Sequence, residues 1–260
     1  MGLRLFEQLK QCIAAVSASL KRTIEHSCAI CGISIDITQP RLCDACLKVL
    51  PRVRSNQLQQ LCLCCSEPIA AQTEHGRCGR CLRSPPAIDR LYSVYYYRAP
   101  IDRWITQFKF HQDLPLAKWF AEQLVQNLLP SATQNIDSLL AVPLHPARLR
   151  QRGFNQSELI AKQVAKMLAL PAPRGRIQRI RATAAQSSLP RQRRRSNLRG
   201  AFKVQGPLGN HVVLIDDVYT TGSTVNEIAR HLKRHGVQTV QAWVVAHAAR
   251  KESPEASGST

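Results

Sequence analysis

The sequence predicts an α/β domain built on a parallel sheet, carried behind a small cysteine-rich module. Three observations predict it. His211 to Thr224, HVVLIDDVYTTGST, joins a short apolar run to two adjacent carboxylates and a hydroxyl-rich turn that opens an amphipathic helix. Strand-like and helix-like segments alternate from Leu91 to Ala246, the pattern of a parallel sheet with crossover helices. Four Cys-x-x-C pairs crowd into residues 28–81, at spacings that suit tetrahedral zinc.

At 260 residues the chain can hold one core of good size plus a small module, since domains usually run about 100–200 residues. Thirty-six Lys and Arg against seventeen Asp and Glu give a net charge of +19, which calls for an anionic partner such as nucleic acid, a phosphorylated metabolite or an acidic membrane. The charge is uneven: between Glu158 and Asp216 there is no acidic residue. Within 1–25, Leu5, Leu9, Ile13, Val16 and Leu20 fall on one helical face opposite Glu7, Gln8, Lys10 and Gln11, so an amphipathic helix packed on the domain or on a partner is expected. It is too polar for a membrane span, which needs roughly 20 consecutive apolar residues, and it does not resemble a secretory leader. A cytoplasmic protein, not an integral membrane one, is the expectation.

The cysteine module is placed at 26–86. Cys28 with Cys31, Cys43 with Cys46, Cys62 with Cys65, and Cys78 with Cys81 form four short knuckles, with eleven residues between the first two and twelve between the last two. Each knuckle directs two thiolates at one ion, so two sequential Cys₄ zinc ribbons, holding two structural Zn²⁺, are expected. A cross-braced pairing of first with third and second with fourth satisfies the same ligand count. A disulfide framework would suit a secreted chain instead. Cys64 abuts Cys65 and offers a substitute ligand, Cys12 reads as a small core residue, and His26 and His75 read as surface histidines.

The domain expected at 87–249 starts after a stiff linker near Ser84 to Ile88 containing Pro85-Pro86. LYSVYYY reads as a strand, and Ile101, Trp104, Ile105 and Phe108 as a helical stripe. Leu116 to Leu129 forms the next helix, with Phe120, Leu124 and Leu128 inward, and Leu139 to Val142 the next strand. Arg148, Arg150 and Arg152 come after that strand, before a helix carrying Ile160, Val164 and Leu168. Guanidinium forks match phosphate oxygens bidentately, so these three arginines suit a pyrophosphate. Val237 to Ala246 supplies the last strand, and 250–260 is disordered by composition.

Val212 to Ile215 reads as a strand buried on both faces. Val225, Ile228, Ala229 and Leu232 form the stripe of the next helix, so Thr220, Thr221, Gly222, Ser223 and Thr224 cap a helix N-terminus. Such a terminus presents unpaired N–H groups and a partial positive charge, a natural phosphate site. Neither G-x-x-x-x-G-K-[ST] nor G-x-G-x-x-G is present, so a P-loop NTPase or a dinucleotide fold is not the reading. Asp216 and Asp217 repel each other unless hydroxyl groups or a divalent cation compensate them. A sugar phosphate with Mg²⁺ supplies both.

This apolar run, Asp-Asp and Thr-Thr-Gly-x-Thr resembles the PRPP-binding motif of type I phosphoribosyltransferases. The resemblance implies that fold, with Asp216 and Asp217 on the ribose hydroxyls and Thr220 to Thr224 around the 5′-phosphate. Tyr219 departs from it, standing where that family usually has an aliphatic residue. VPLHPARLRQRGFNQSELIA, the basic stretch from Arg179 to Phe202 and the preceding knuckles resemble the ComF family over nearly the whole chain. That implies a role in natural competence, in uptake or processing of transforming single-stranded DNA, with PRPP, single-stranded DNA and competence machinery proteins as partners. The resemblance also places a mobile hood over Thr183 to Asn197, with Arg194 joining Asp216 and Asp217 in catalysis. Arg191, Arg193, Arg194 and Arg195 there equally suit nucleic acid. The alternative is a non-enzymatic DNA-binding or adaptor protein that keeps PRPP only as a ligand.

Overall fold

The structure, a computed structural model, describes residues 26–36, 41–53, 61–69, 76–181, 198 and 200–248. The expected N-terminal helix with Cys12, His75, the tail 250–260 and the hood Thr183 to Asn197 with Arg191, Arg193, Arg194 and Arg195 lie outside the described residues, as does the side chain of His26. The chain divides into two compact units, Met1–Leu50 and Pro51–Thr260. The linker expected at Ser84 to Ile88 therefore runs inside the second unit, and the second pair of knuckles packs with the α/β domain.

In the first unit β1 (His26–Ser27) pairs antiparallel with β2 (Ser34–Ile35). Cys28 and Cys31 sit on the turn between them, which Gly32 closes at φ 74°, its N–H donating to Cys28 O at 2.9 Å. Cys43 caps α1 (Asp44–Lys48), which carries Cys46. In the second unit the same design recurs. Cys62 N–H donates to Glu67 O across a tight turn, Cys78 caps α2 (Gly79–Arg83), and Cys81 lies on it. The ligand atoms of Cys28, Cys31, Cys43 and Cys46 lie within 4.8 Å of one another, and so do those of Cys62, Cys65, Cys78 and Cys81. The pairing is sequential, not cross-braced. Across knuckles, the Sγ atoms of Cys31 and Cys43 are 3.7 Å apart, as are those of Cys65 and Cys78. A tetrahedron with 2.3 Å zinc–sulfur bonds has edges of about 3.8 Å, whereas a disulfide needs about 2.05 Å. Both sets fit zinc. Cys64 belongs to neither set and is fully buried, its Sγ donating to Asp89 O.

The sheet of the second unit has four parallel strands in the order β3-β8-β7-β4. These are β3 (Arg90–Tyr96), β4 (Ser138–Ala141), β7 (His211–Tyr219) and β8 (Thr239–His247). Between β4 and β7 an antiparallel pair, β5 (Arg176–Arg179) and β6 (Phe202–Gln205), brackets the expected hood. The helices are α3 (Ile101–Phe108), α4 (Leu114–Asn127), α5 (Pro146–Arg152), α6 (Gln156–Met167) and α7 (Ser223–Arg234). α4 begins on Asp113, whose carboxylate accepts from Leu116 N–H at 2.8 Å with Pro115 in the first turn. It ends at Asn127, and Leu128, expected inward, is its half-buried C-cap. Among the described residues no helix is long and apolar enough to cross a membrane.

Alternation along β7 sorts the layers. Val212 and Leu214 join one core with Val225, Ile228, Ala229 and Leu232 of α7, Phe202 of β6, and Cys62, Cys64, Cys65 and Cys81 of the second cysteine module. Val213 and Ile215, equally buried, point to the opposite face, where α6 packs on β4 and β7 and α4 packs on β3 and β8. The second cysteine group is thus part of one covering layer of the sheet. The outer edge of β3 is covered too: Val53 N–H donates to Val94 O, and Tyr96 N–H to Pro51 O, both at 2.8 Å. That closes an edge that would otherwise pair with another chain.

Metal analysis of the reduced protein is expected to give two zinc ions per chain, and Cys43→Ser or Cys78→Ser should each remove one. A stoichiometry of zero or one in intact, reduced wild-type protein would refute the two-site assignment.

Candidate functional site

β4 and β7 are neighbours in the sheet, yet the helices that succeed them cover opposite faces. Where connections diverge in this way, a crevice opens beyond the carboxyl ends of the strands, the usual ligand position in open α/β sheets. A cleft of about 300 Å³ lies there. From β7 and the turn after it come Asp216, Asp217, Thr220 and Thr224; from the β4–α5 connection and α5 come Val142 to Leu144, Arg148 and Arg152. Tyr97, Lys109, Gln156, Ser157 and Arg179 extend the lining.

The arginine-bearing segment between β4 and α6 is the short helix α5. Pro146 stands at its first position and Gly153 ends it at φ 78°. Helical spacing turns Arg148 and Arg152, four residues apart, to the same side, and both line the cleft while Arg150 is exposed and does not. Asn155 locks the start of α6. Its Nδ2 donates to Val142 O at 3.1 Å, and its Oδ1 accepts from Ser157 N–H at 3.2 Å as the helix cap.

The acidic pair is compensated by residues that sequence reasoning did not single out. Ser157 Oγ donates to Asp216 Oδ1 at 2.9 Å, and Asp217 N–H reaches the same oxygen at 3.0 Å. Lys109 Nζ lies 3.2 Å from Asp217 Oδ2. Burial, reinforced by the neighbouring Asp217 charge, pushes the Asp216 carboxyl up to about 7, with Ser157, the Asp217 N–H and Lys109 pulling the other way. Burial also lowers Arg152, against an opposing pull from Asp217. Ser157 carries no separate signal in the sequence beyond its place in GFNQS. Lys109, one residue past the helical stripe of α3, is indistinguishable in sequence from a lysine complementing a helix C-terminus. Arg179 reads in sequence only as one of the many arginines of the acid-free interval; in the structure it ends β5, buried over the Phe202 ring.

The turn after β7 is built for close approach. Gly222 caps α7 in the left-handed region, at φ 72° and ψ 4°, and a Cβ there would collide with the Tyr219 phenol. Thr221 Oγ1 and Ser223 Oγ bond each other at 2.8 Å. Among the five residues expected to wrap a phosphate, Thr220 and Thr224 line the cleft; Thr221, Gly222 and Ser223 shape the turn.

The sequence model of the phosphoribosyl transferase domain matches residues 155–258. It starts at the cap of α6, so Lys109, Arg148 and Arg152 lie before it. The DNA utilization protein YhgH of Salmonella typhimurium is 37% identical over 226 residues, covering 85% of this chain and 96% of that protein. Competence protein F of Haemophilus influenzae is 31% identical over 237 residues, with the same two coverages. The crystal structure of orotate phosphoribosyltransferase from Aeropyrum pernix aligns at 18% identity and a TM-score of 0.34, covering 52% of this chain and 62% of that one. With relatives of this identity along nearly their whole length, a phosphoribosyl transferase domain and two four-cysteine groups ahead of it in the sequence, the chain belongs to the ComF family, with a type I phosphoribosyltransferase fold.

Proposed function

We propose that the cleft binds PRPP with Mg²⁺, and that the protein acts in the handling of transforming single-stranded DNA. The observation that supports the first part is the convergence on one cleft of an acidic pair, a helix N-terminus and two arginines of α5. The turn Thr220 to Thr224 takes the 5′-phosphate through its hydroxyls and the N–H groups at the start of α7. Asp216 and Asp217 take the ribose hydroxyls. Arg148 and Arg152 take the pyrophosphate, on the opposite wall from the 5′-phosphate. Bound Mg²⁺ supplies charge neutralisation to the pyrophosphate. The reaction such a site supports is glycosyl transfer: an acceptor nucleophile bonds to ribose C1 as the bond from C1 to pyrophosphate breaks. The arginines stabilise the leaving charge and the carboxylates the developing oxocarbenium character.

Support for the second part is the +19 charge, the acid-free interval between Glu158 and Asp216, and the names of the relatives. Arg191, Arg193, Arg194 and Arg195 are assigned to the DNA strand, with Arg194 also closing the site over PRPP. The two thiolate sets are assigned Zn²⁺, and their need for reduced cysteines suits a cytoplasmic location.

Asp217→Asn is expected to weaken PRPP binding at least tenfold, since a hydrogen bond to a charged group is worth about 1.5–3 kcal/mol. Calorimetry showing unchanged affinity in a folded variant would sink the assignment. Asp216→Asn tests the cost of the acidic pair. The folded-state pKa of Asp216, about 7, lies above the ordinary carboxylate value near 3.9. Ionisation is therefore resisted by the fold, and the penalty is absent below about pH 4, grows as pH rises to about 7 and is complete above it. Asn keeps the acceptor for Ser157 and the Asp217 N–H. The variant should melt a few degrees higher than wild type at about pH 8 without ligand, at ~2–4 °C per kcal/mol, and show no gain at about pH 4. An equal shift at both values would contradict this account.

Single-stranded DNA should bind with log affinity falling against log salt by about 0.7 per phosphate neutralised. Substituting Arg193, Arg194 and Arg195 together with alanine should flatten that slope. An unchanged affinity and slope would confine these arginines to the metabolite site.

A further inference from the structure

Two side chains touch Gly222, the residue on which the phosphate turn pivots, and both lead to the second four-cysteine group. Tyr219 lies beneath it. The residue is 5% exposed, and its phenol occupies the space a Cβ on Gly222 would need. Its hydroxyl donates to the carbonyl of Cys64 at 3.4 Å, inside the Cys62–Cys65 knuckle. Asn226 lies behind it, in the first turns of α7. Its Nδ2 donates to Gly222 O at 2.9 Å, while its Oδ1 accepts from Ala87 N–H at 2.8 Å and from Ile88 N–H at 3.4 Å. Ala87 and Ile88 belong to the segment that leaves the knuckle after Cys81. A further backbone bond, Leu91 N–H to Leu63 O at 2.7 Å, fastens the Cys62–Cys65 knuckle to the first strand of the sheet.

The chemistry of these contacts is one-sided. Neither residue lines the cleft, and each touches the turn from behind it. Both hold the turn at one end; at the other, Tyr219 reaches the backbone of the Cys62–Cys65 knuckle and Asn226 the backbone that joins Cys81 to β3. Glycine enters the left-handed region without strain but is free to take many other conformations, so what its two neighbours contribute is to hold this one. The knuckle buries its cysteines against the core under α7, and a metal shared between the two knuckles adds the free energy of its bonds to sulfur to that packing.

We propose that the second four-cysteine site is a working part of the phosphate-binding turn, with Tyr219 and Asn226 as positioning residues that tie the shape of the turn to the presence of the metal. The first group, Cys28 to Cys46, belongs to the other compact unit and serves as the internal control. Linkage is reciprocal: if metal at the second site favours the phosphate-binding turn, phosphate in the turn tightens the hold on that metal by the same factor at equilibrium. The inference rests on reading Thr220 to Thr224 as the 5′-phosphate site, and ribose 5-phosphate probes that turn without pyrophosphate or Mg²⁺.

The experiment measures zinc release from the full-length, zinc-loaded protein into a chromogenic chelator, with and without saturating ribose 5-phosphate. The expected result is that one of the two ions leaves about tenfold more slowly with the sugar phosphate present and the other is unaffected. The protection should persist in Cys43→Ser, which lacks the first site. Asn226→Ala should retain two zinc ions but bind ribose 5-phosphate about tenfold more weakly and show no protection at the concentration that saturates wild type. Tyr219→Phe keeps the ring, and should lose about threefold in affinity with both ions in place. Should Asn226→Ala fail to fold, Tyr219→Phe and the wild-type release rates carry the test. Ribose 5-phosphate that binds wild type while both ions leave at unchanged rates overturns this inference and leaves the phosphate site standing. Absence of ribose 5-phosphate binding to wild type overturns the phosphate reading, and this inference with it.

Discussion

Two adjacent carboxylates at the end of a buried strand repel each other, and the cleft is organised around making that tolerable. Asp216 is compensated from α6, by the Ser157 hydroxyl, and Asp217 from the segment after α3, by Lys109. Those partners arrive from connections separated by tens of residues in sequence. The fold must therefore bring α6, the end of α3 and β7 to one point before the acidic pair can persist. Even so, Asp216 resists ionisation.

The geometry of the sheet explains why both walls carry cationic or N–H donors. β4 leads to helices on one face and β7 to a helix on the other, and the gap between them receives the end of α5 and the beginning of α7. Arg148 and Arg152 reach in from the first because they lie one helical turn apart. The positive end of α7 faces in from the second because a strand running into a helix aims the helix N-terminus at the strand's carboxyl end. The two walls thus draw their cationic and N–H groups from separate helices.

The second cysteine group changes how the molecule is divided. It buries Cys62, Cys64, Cys65 and Cys81 against the residues of α7 and β6, so it is a piece of the covering layer rather than an appendage. An aliphatic side chain at position 219 would fill the space beneath Gly222 but make no polar contact with the knuckle. Tyrosine reaches the Cys64 carbonyl, giving the departure from the usual motif a structural reason.

The local patterns in the sequence determined a good deal. The parallel alternation, the acidic pair before a hydroxyl-rich turn and the thiolate spacing are each written in short stretches that periodicity and spacing report directly, while the kinship to the ComF family rests on resemblance along nearly the whole chain. Tertiary structure decided everything that needed two distant segments. It joined the knuckles in sequence rather than crosswise, because four Sγ atoms meet at zinc-like separations only in that pairing among the described residues. It wound the arginine segment into a helix, which turns Arg148 and Arg152 but not Arg150 onto the cleft. It brought Lys109 and Ser157 to the carboxylates and set Arg179, one of many arginines in the basic interval, into the lining of the cleft. A lone lysine after a helix and a serine at a cap are common for local reasons, so their role depends on which strand ends lie beside them, and that is set by the order of strands in the sheet.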